Sequence, residues 1–331
     1  MRDAIRDPAE LFALLGLPES QLEEARGAAA DFRLLVPRGY ASRMLPGDPH
    51  DPLLLQVLPQ GRERVAVPGY VSDPVGDLAA EAAPGVLHKY RGRVLLVATG
   101  ACAVHCRYCF RRHFPYSDSN PARDAWRETL DYLDEHPEVD EVILSGGDPL
   151  VLDDDKLAAL VGELERMPQL RRLRLHTRLP IVLPERVGDE LLGWIRRSRL
   201  QIVCVVHANH ANELDATVEQ ALQRLRNGGV HLLNQSVLLR GVNDSAQALA
   251  QLSERLFACG VLPYYLHLLD PVAGAAHFHV DDGEALATME LLRTRLPGYL
   301  VPRLVREEPG APAKTPVTVP SQPGPDGTPA R

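Results

Sequence analysis

The segment RVLLVATGACAVHCRYCFRR, residues 93–112, opens with an apolar run and continues into a loop that carries three cysteines. From here onward, short β-branched and leucine-rich runs alternate with amphipathic stretches of helix length, which indicates repeated βα units around a parallel sheet. The predicted strands are Arg93–Ala98, Glu141–Leu144, Leu173–His176, Gln201–Val206, Val230–Leu238 and Leu262–Leu268, with Tyr299–Val305 closing or flanking the sheet. The predicted helices span residues 121–136, 153–167, 187–198, 212–227, 245–258 and 283–295.

The chain divides into three predicted regions. Residues 1–90 are rich in Pro, Gly and Arg and show no alternating strand pattern, so we expect a helical N-terminal region. Residues 91–298 form the α/β unit, a partial (β/α)6 barrel, and residues 299–331 form a C-terminal segment. Seven prolines and three glycines in the last 25 residues argue against regular structure there, although such a segment can also order as a short lid over the barrel mouth.

Composition excludes several classes of function. The 331 residues include 36 Lys+Arg and 44 Asp+Glu, a net charge of −8, which gives no basic field for direct binding of nucleic acid. No apolar run approaches the roughly 18–20 residues that a membrane-spanning helix needs, and the N-terminus does not resemble a signal peptide. We therefore expect a soluble cytoplasmic protein with no membrane partner.

Unusual polar residues follow every predicted strand. In parallel βα architectures, the loops after the strands meet on one face and build the site. A single such residue is more often a turn or helix-cap residue, but the recurrence after six strands favours an active site. The residues are the cysteine loop, Ser145–Pro149, His176–Arg178, His207 with Asn209 and His210, Asn234 with Gln235, and Asp270.

The cysteine loop has the spacing C-x3-C-x2-C, formed by Cys102, Cys106 and Cys109. Thiolates select zinc or iron–sulfur clusters, and a closed zinc site would need a fourth ligand. Three thiolates suit a four-iron cluster whose fourth iron keeps an open position, whereas electron-transfer clusters are usually held by four cysteines. The other two cysteines, Cys204 and Cys259, lie in patterns typical of inert packing.

Cationic residues surround the three cysteines. We expect their charges to lower the thiol pKa values and to favour the thiolate form. The residues are Arg107, Arg111, Arg112 and His113.

GACAVHCRYCF after a strand resembles the radical S-adenosylmethionine (SAM) superfamily, whose three-cysteine loop binds a 4Fe-4S cluster that reductively cleaves SAM. In that superfamily a Gly-Gly-acidic turn after the second strand holds the methionyl amino group. The sequence SGGDP matches this turn and implies SAM contacts at Ser145, Gly146, Gly147 and Asp148. The resemblance implies a radical SAM form of the partial barrel.

Lys314 is one of only three lysines in an arginine-rich chain. Arginine cannot form an imine with pyridoxal phosphate (PLP), so a retained lysine is a candidate for that chemistry, although a solvated lysine in a flexible segment has the same composition. Several motifs, CRYCFRR, SGGDPL, TRLPIVLP, GVND, PYYLHLLD and KTPV, resemble the lysine 2,3-aminomutase family over roughly residues 85–318. In that family the lysine of KTPV binds PLP, which implies this role for Lys314, with Arg93 on the phosphate side and Tyr90 nearby.

The same resemblance implies a site for L-lysine. Arg111 matches the residue that binds the substrate carboxylate, and Asp270 and Glu307 match the two acidic positions that receive the ε-ammonium, where free-lysine enzymes show Asp at the position of Glu307. His207 and Gln235 match positions that line the SAM and cofactor pocket. One cation and two carboxylates suit a long amino acid with a distal cation, so a glutamate aminomutase is disfavoured.

Two departures from the larger family members concern a structural zinc. In those enzymes one zinc-binding cysteine directly follows GVND, where Ser245 stands here, and the chain runs well beyond the pyridoxal lysine. Here 17 residues follow Lys314, none of them cysteine, so we expect no such zinc site. The shorter form is similar to the aminomutase of the elongation factor P modification pathway, which supplies (R)-β-lysine to a ligase. The implied partners are a flavodoxin or ferredoxin as electron donor, elongation factor P and its ligase. Two alternatives stay open, a lysine 2,3-aminomutase that makes free β-lysine for another pathway and a noncatalytic iron–sulfur binding module.

Overall fold

A computed structural model describes residues 3–116 and 126–318. Its ten strands lie in one sheet, and each strand pairs with its neighbours in chain order. The strands are β1 Glu81–Ala83, β2 Val86–Tyr90, β3 Arg93–Thr99, β4 Glu141–Gly146, β5 Arg172–Thr177, β6 Gln201–Val206, β7 His231–Val237, β8 Leu262–His267, β9 Arg303–Arg306 and β10 Thr315–Pro316.

Strands β3 to β9 are parallel throughout, as the βα pattern predicts. The antiparallel pairs lie at the two edges of the sheet, β1 with β2, β2 with β3, and β9 with β10. Within the described residues no ladder joins β10 to β1, so the sheet stays open between these two strands. The predicted fold class, a partial α/β barrel of the radical SAM type, is confirmed.

The helices of the barrel follow the predicted positions closely. The first of them is α5, and the part of its predicted range over residues 121–125 lies outside the described residues. The α-helices in the described part of the chain are α1 Pro8–Leu15, α2 Leu22–Asp31, α3 Arg38–Ala41, α4 Pro52–Leu55, α5 Arg127–Glu135, α6 Asp154–Leu164, α7 Leu179–Val182, α8 Asp189–Arg197, α9 Ala216–Asn227, α10 Ala246–Ala258 and α11 Asp282–Arg295.

Two sequence-based expectations about secondary structure are wrong. The region before residue 90 is not free of strands, because β2 forms a hairpin with β3 in which Tyr90 pairs with Arg93. Gly92, with φ of 79°, supplies the left-handed conformation that this two-residue turn needs. The proline-rich end is not wholly irregular either, because β10 pairs with β9 and Val317 donates its N–H to the Leu304 carbonyl at 3.0 Å.

The hydrophobic core lies between the parallel strands, their helices and the N-terminal region. Cys204 on β6 and Cys259 after α10 are buried in this core, as predicted. None of the described helices combines the length and the apolar composition that a bilayer crossing requires. The polar residues that the sequence analysis singled out after each strand lie at the carboxyl ends of the parallel strands.

Candidate functional site

The SGGDP turn that follows β4 is pinned to the segment that leads into the cysteine loop. Gly147 donates its N–H to the Thr99 carbonyl at 2.6 Å, and Asp148 donates its N–H to the Ala101 carbonyl at 2.8 Å. A Cβ atom on Gly147 would lie 2.2 Å from the Ala101 oxygen, which is far inside van der Waals contact. Only glycine therefore allows the two backbones to approach this closely.

The Asp148 carboxylate is occupied by protein donors. It accepts from the Thr177 hydroxyl at 2.7 Å, from the Arg178 N–H at 2.7 Å and from the Leu150 N–H at 3.0 Å. Burial raises the Asp148 pKa to about 6, and these hydrogen bonds act in the opposite direction. The carboxylate thus fixes the shape of the turn.

The three cysteines are partly buried and reduced. A backbone bond from Cys109 N–H to the Cys106 carbonyl at 3.1 Å turns the loop between them. In the described residues no group of three His, Cys, Asp or Glu side chains is arranged to hold a single metal ion. A four-iron cluster binds each thiolate to a different iron.

The expectation that the thiol pKa values are low is wrong for two of the cysteines. Burial raises the pKa of Cys109 to about 11, and burial also raises the pKa of Cys102. The charge of Arg111 lowers both pKa values, but burial outweighs it. The loop arginines also bind carboxylates. Arg107 and Arg112 both donate to Glu63, at 2.5 and 3.0 Å. His113 is exposed and contacts the Ala273 carbonyl at 3.1 Å.

A chain of alternating charges joins the predicted carboxylate-binding arginine to the predicted PLP lysine. Arg111 Nε donates to Asp77 Oδ2 at 2.6 Å, and Lys89 Nζ lies 2.6 Å from Asp77 Oδ1. Lys89 also lies 3.9 Å from Glu307 Oε1, and Lys314 Nζ donates to Glu307 Oε2 at 2.6 Å. The structure therefore brings Arg111, Glu307 and Lys314 into one network.

Sequence reasoning missed Asp77 and Lys89. No motif marked Asp77, which lies 34 residues before Arg111. Lys89 had a signal, because it is one of the three lysines of the chain. Burial raises the Asp77 pKa, but the charges of Arg111 and Lys89 outweigh burial and hold it below its usual value.

Tyr90 and Arg93 lie beside the same network, at the hairpin between β2 and β3. The Tyr90 hydroxyl donates to Glu307 Oε1 at 2.6 Å, and the Arg93 guanidinium lies 4.4 Å from the centre of the Tyr90 ring. Burial alone would raise the Glu307 pKa, but Lys314 and the Tyr90 hydrogen bond lower it. Glu307 is therefore ionised at neutral pH and binds Lys314 through charge.

Asp270 follows β8 and contrasts with Glu307. In the described part of the chain, no cation lies within ion-pair distance of its carboxylate. Burial raises the Asp270 pKa to about 7, Lys314 opposes the rise, and the Glu307 charge adds to it. An added cation next to Asp270 would therefore find a carboxylate without a close positive partner.

Three histidines lie on or directly after the parallel strands, His176 on β5, His207 after β6 and His267 on β8. His207 accepts at Nε2 from the Gln235 amide at 2.8 Å, since burial lowers its pKa to about 3 and keeps the ring neutral. The Nε2 atoms of His176 and His267 are buried and have no hydrogen-bond partner within the described residues. Burial lowers the pKa values of both rings, and the charge of Lys314 lowers them further. These orphan atoms are available to a ligand that fills the mouth.

Comparisons with known proteins agree with this geometry. The profile of the Radical SAM superfamily matches residues 96–252. The chain is 52% identical over 318 residues to the L-lysine 2,3-aminomutase of Escherichia coli strain K12, covering 96% of this chain and 93% of that protein. The chain belongs to the lysine 2,3-aminomutase family.

Two further members of the family show how identity varies. The L-lysine 2,3-aminomutase of Haemophilus influenzae is 49% identical over 315 residues, with 95% of this chain and 93% of that protein covered. The L-lysine 2,3-aminomutase of Clostridium subterminale is 34% identical over 318 residues, with 96% of this chain and 76% of that protein covered.

Lysine 2,3-aminomutases use a 4Fe-4S cluster, SAM and PLP. The residues present fit these groups. Three thiols stand on one loop, a primary amine lies at Lys314, and the orphan Nε2 atoms of His176 and His267 lack protein partners in the described residues. The glycine turn packs its backbone directly against the segment that leads into the cysteine loop.

The close approach at Gly147 yields a testable expectation. Gly147→Ala should lower the free energy of unfolding by about 1–3 kcal/mol, because the Cβ atom overlaps the Ala101 carbonyl. It should also reduce iron and sulfide content, because the cysteine loop is displaced. Chemical denaturation and iron analysis measure both.

The matched control is Gly162→Ala in α6, where a Cβ atom meets nothing within 4 Å. That change should stabilise the protein by about 0.5–1 kcal/mol, because alanine favours the helix. Equal stability of the two variants would contradict the steric argument.

Proposed function

We propose that this protein converts (S)-α-lysine into (R)-β-lysine by moving the α-amino group to Cβ. The observation that carries the proposal is the charged network that joins Arg111 to Glu307. Asp270 adds a second carboxylate, whose pKa responds to the charges of Lys314 and Glu307. This arrangement complements an α-amino acid with a distal ammonium group. The similarity to L-lysine 2,3-aminomutases supports the same substrate.

Arg111 has donors to spare for the substrate carboxylate. Its Nε is used by Asp77 at 2.6 Å, and one Nη1 hydrogen is used by the Ser145 hydroxyl at 3.1 Å. A guanidinium has five N–H donors, so the end formed by Nη1 and Nη2 is left for a bidentate carboxylate. Asp77 and Ser145 hold the plane of Arg111 in place.

The two acidic residues serve the ε-ammonium differently. Asp270 has no close cation in the described residues and supplies the first carboxylate. Glu307 is bound to Lys314, so it becomes available when Lys314 engages the cofactor and its amine leaves the carboxylate. The Tyr90 hydroxyl keeps Glu307 oriented during that exchange.

The cofactor positions follow from the same residues. Cys102, Cys106 and Cys109 hold the cluster, Ser145 to Asp148 with His207 and Gln235 hold SAM, and Lys314 with Arg93 and Tyr90 holds PLP. When bound, these groups supply a 5′-deoxyadenosyl radical and a ring that delocalises an unpaired electron. The protein orients the substrate and excludes water from the mouth.

We propose further that the product modifies elongation factor P through a partner ligase, in the cytoplasm, with a flavodoxin or ferredoxin as electron donor. The support is the sequence resemblance to the aminomutase of that pathway. Deletion of the gene should remove the β-lysyl addition from elongation factor P, as read by intact-protein mass spectrometry. An unchanged mass would favour the production of free β-lysine for another pathway.

Lys314→Ala should abolish both PLP absorbance and formation of β-lysine, because the other amine of the network, Lys89, is bound to Asp77 at 2.6 Å. Anaerobic assay with lysine, SAM and dithionite, together with the ultraviolet–visible spectrum, measures the two. Lys156→Ala is the matched control, since Lys156 is an exposed lysine on α6. Full PLP content in the Lys314 variant would contradict the assignment, and an inactive but fully loaded parent protein would favour a noncatalytic iron–sulfur module.

Lysine binding should tighten by about tenfold between pH 6 and pH 8. Asp270 has a pKa of about 7, so it is mostly neutral below that pH and attracts the ammonium only above it. The substrate ε-amino group stays charged throughout, since its ordinary pKa is about 10.4. Titration of PLP-loaded protein with lysine, followed by absorbance, gives the dissociation constant at each pH.

Asp270→Asn should bind lysine more weakly and should lose this dependence on pH. Asp155→Asn, an exposed change on α6, should leave both unchanged. Retention of the pH profile in the Asp270 variant would show that another group causes it.

A further inference from the structure

Arg178 contacts one of the three cysteines, although it lies outside the cysteine loop. It is the first residue after β5, and its N–H is fixed by Asp148 Oδ2 at 2.7 Å. Its guanidinium Nη1 donates to Cys106 Sγ at 2.7 Å. In the described residues, it is the only cationic side chain with a hydrogen bond to any of the three sulfurs.

The charge of Arg178 is permanent and buried. Its side chain is 5% exposed, and a guanidinium does not lose its proton in proteins. Nη2 donates to Glu213 Oε2 at 2.8 Å and to Gln56 Oε1 at 2.6 Å. Glu213 is fully buried and also accepts from the Asn209 N–H at 2.8 Å. The sulfur therefore faces a cation whose charge is balanced on its other side by one carboxylate.

The arginines within the cysteine loop are committed elsewhere. Arg107 and Arg112 share Glu63, and Arg111 binds Asp77. Their charges are therefore balanced by carboxylates that do not touch a cysteine. Arg178 is the cation that acts on the sulfur itself.

We propose that Arg178 is a positioning residue that raises the reduction potential of the cluster held by Cys106, with Glu213 opposing it. This inference rests on the proposed function only in assuming that the cysteines hold the cluster. Reduction adds one electron from a low-potential one-electron donor and takes up no proton. The added negative charge is stabilised by a fixed positive charge and by a hydrogen bond to sulfur in a low-dielectric interior.

The test is a potentiometric titration of reconstituted protein, followed by electron paramagnetic resonance of the reduced cluster. Arg178→Met should lower the reduced-to-oxidised ratio at a fixed potential by about tenfold, which is ~59 mV for a one-electron couple. Arg178→Lys keeps the positive charge, so its reduction potential should lie between that of Arg178→Met and that of the parent protein. Glu213→Gln removes the opposing carboxylate and should shift the potential upward.

Arg174→Met is the matched control. Arg174 lies on β5, the strand that Arg178 follows, and it pairs with Glu141 on β4. It should leave the potential unchanged. If Arg178→Met keeps its full iron content and has the same reduction potential as the parent protein, the inference is overturned. If that variant loses its cluster, an unchanged or lowered potential in Glu213→Gln would overturn it instead. Absence of any cluster from the parent protein would instead contradict the proposed function.

Discussion

The buried carboxylate of Asp148 fixes the arrangement on which the rest of the mouth depends. It joins the end of β4 to the end of β5 through Thr177 and the Arg178 N–H. Burying a carboxylate costs several kcal/mol unless donors compensate it, and each hydrogen bond to a charged group contributes about 1.5–3 kcal/mol. The donors offset part of the cost of burial, which still raises the Asp148 pKa to about 6, and they place Arg178 where its guanidinium reaches Cys106. Asp148, the acidic residue of the glycine turn, thus binds protein donors and holds the ends of β4 and β5 together.

The charged side chains of the mouth balance one another. Arg111, Asp77, Lys89, Glu307 and Lys314 alternate in sign along one chain of contacts. Buried charges are tolerated when each has a partner, and unpaired ones are costly. Asp270 is the exception, and burial raises its pKa to about 7, which favours the neutral form. A substrate ammonium would provide the missing partner and restore the ionised form.

The sequence predicts the parallel sheet, and the structure confirms it, because strand periodicity is a local pattern. The motifs that mark the candidate site, the cysteine spacing and the SGGDP turn, also lie within a few residues each. The side-chain contacts that were not predicted join residues that are distant in the sequence. Arg107 meets Glu63 across 44 residues, and Arg178 meets Cys106 across 72 residues. The local pattern predicts that the arginines of the cysteine loop act on the thiols. In the structure, carboxylates from the N-terminal region bind these arginines.

The C-terminal segment shows why composition misjudged local order. Prolines and glycines reduce the average tendency to form strands, but a strand needs only a few unblocked backbone groups at an edge. β9 is such an edge, and Thr315 and Pro316 pair with Arg306 and Val305. Ordering each residue costs about 1–2 kcal/mol of backbone entropy, which the ladder and the pair between Lys314 and Glu307 help to offset. The lysine is therefore delivered from the sheet edge, with its amine held by a carboxylate seven residues earlier in the chain.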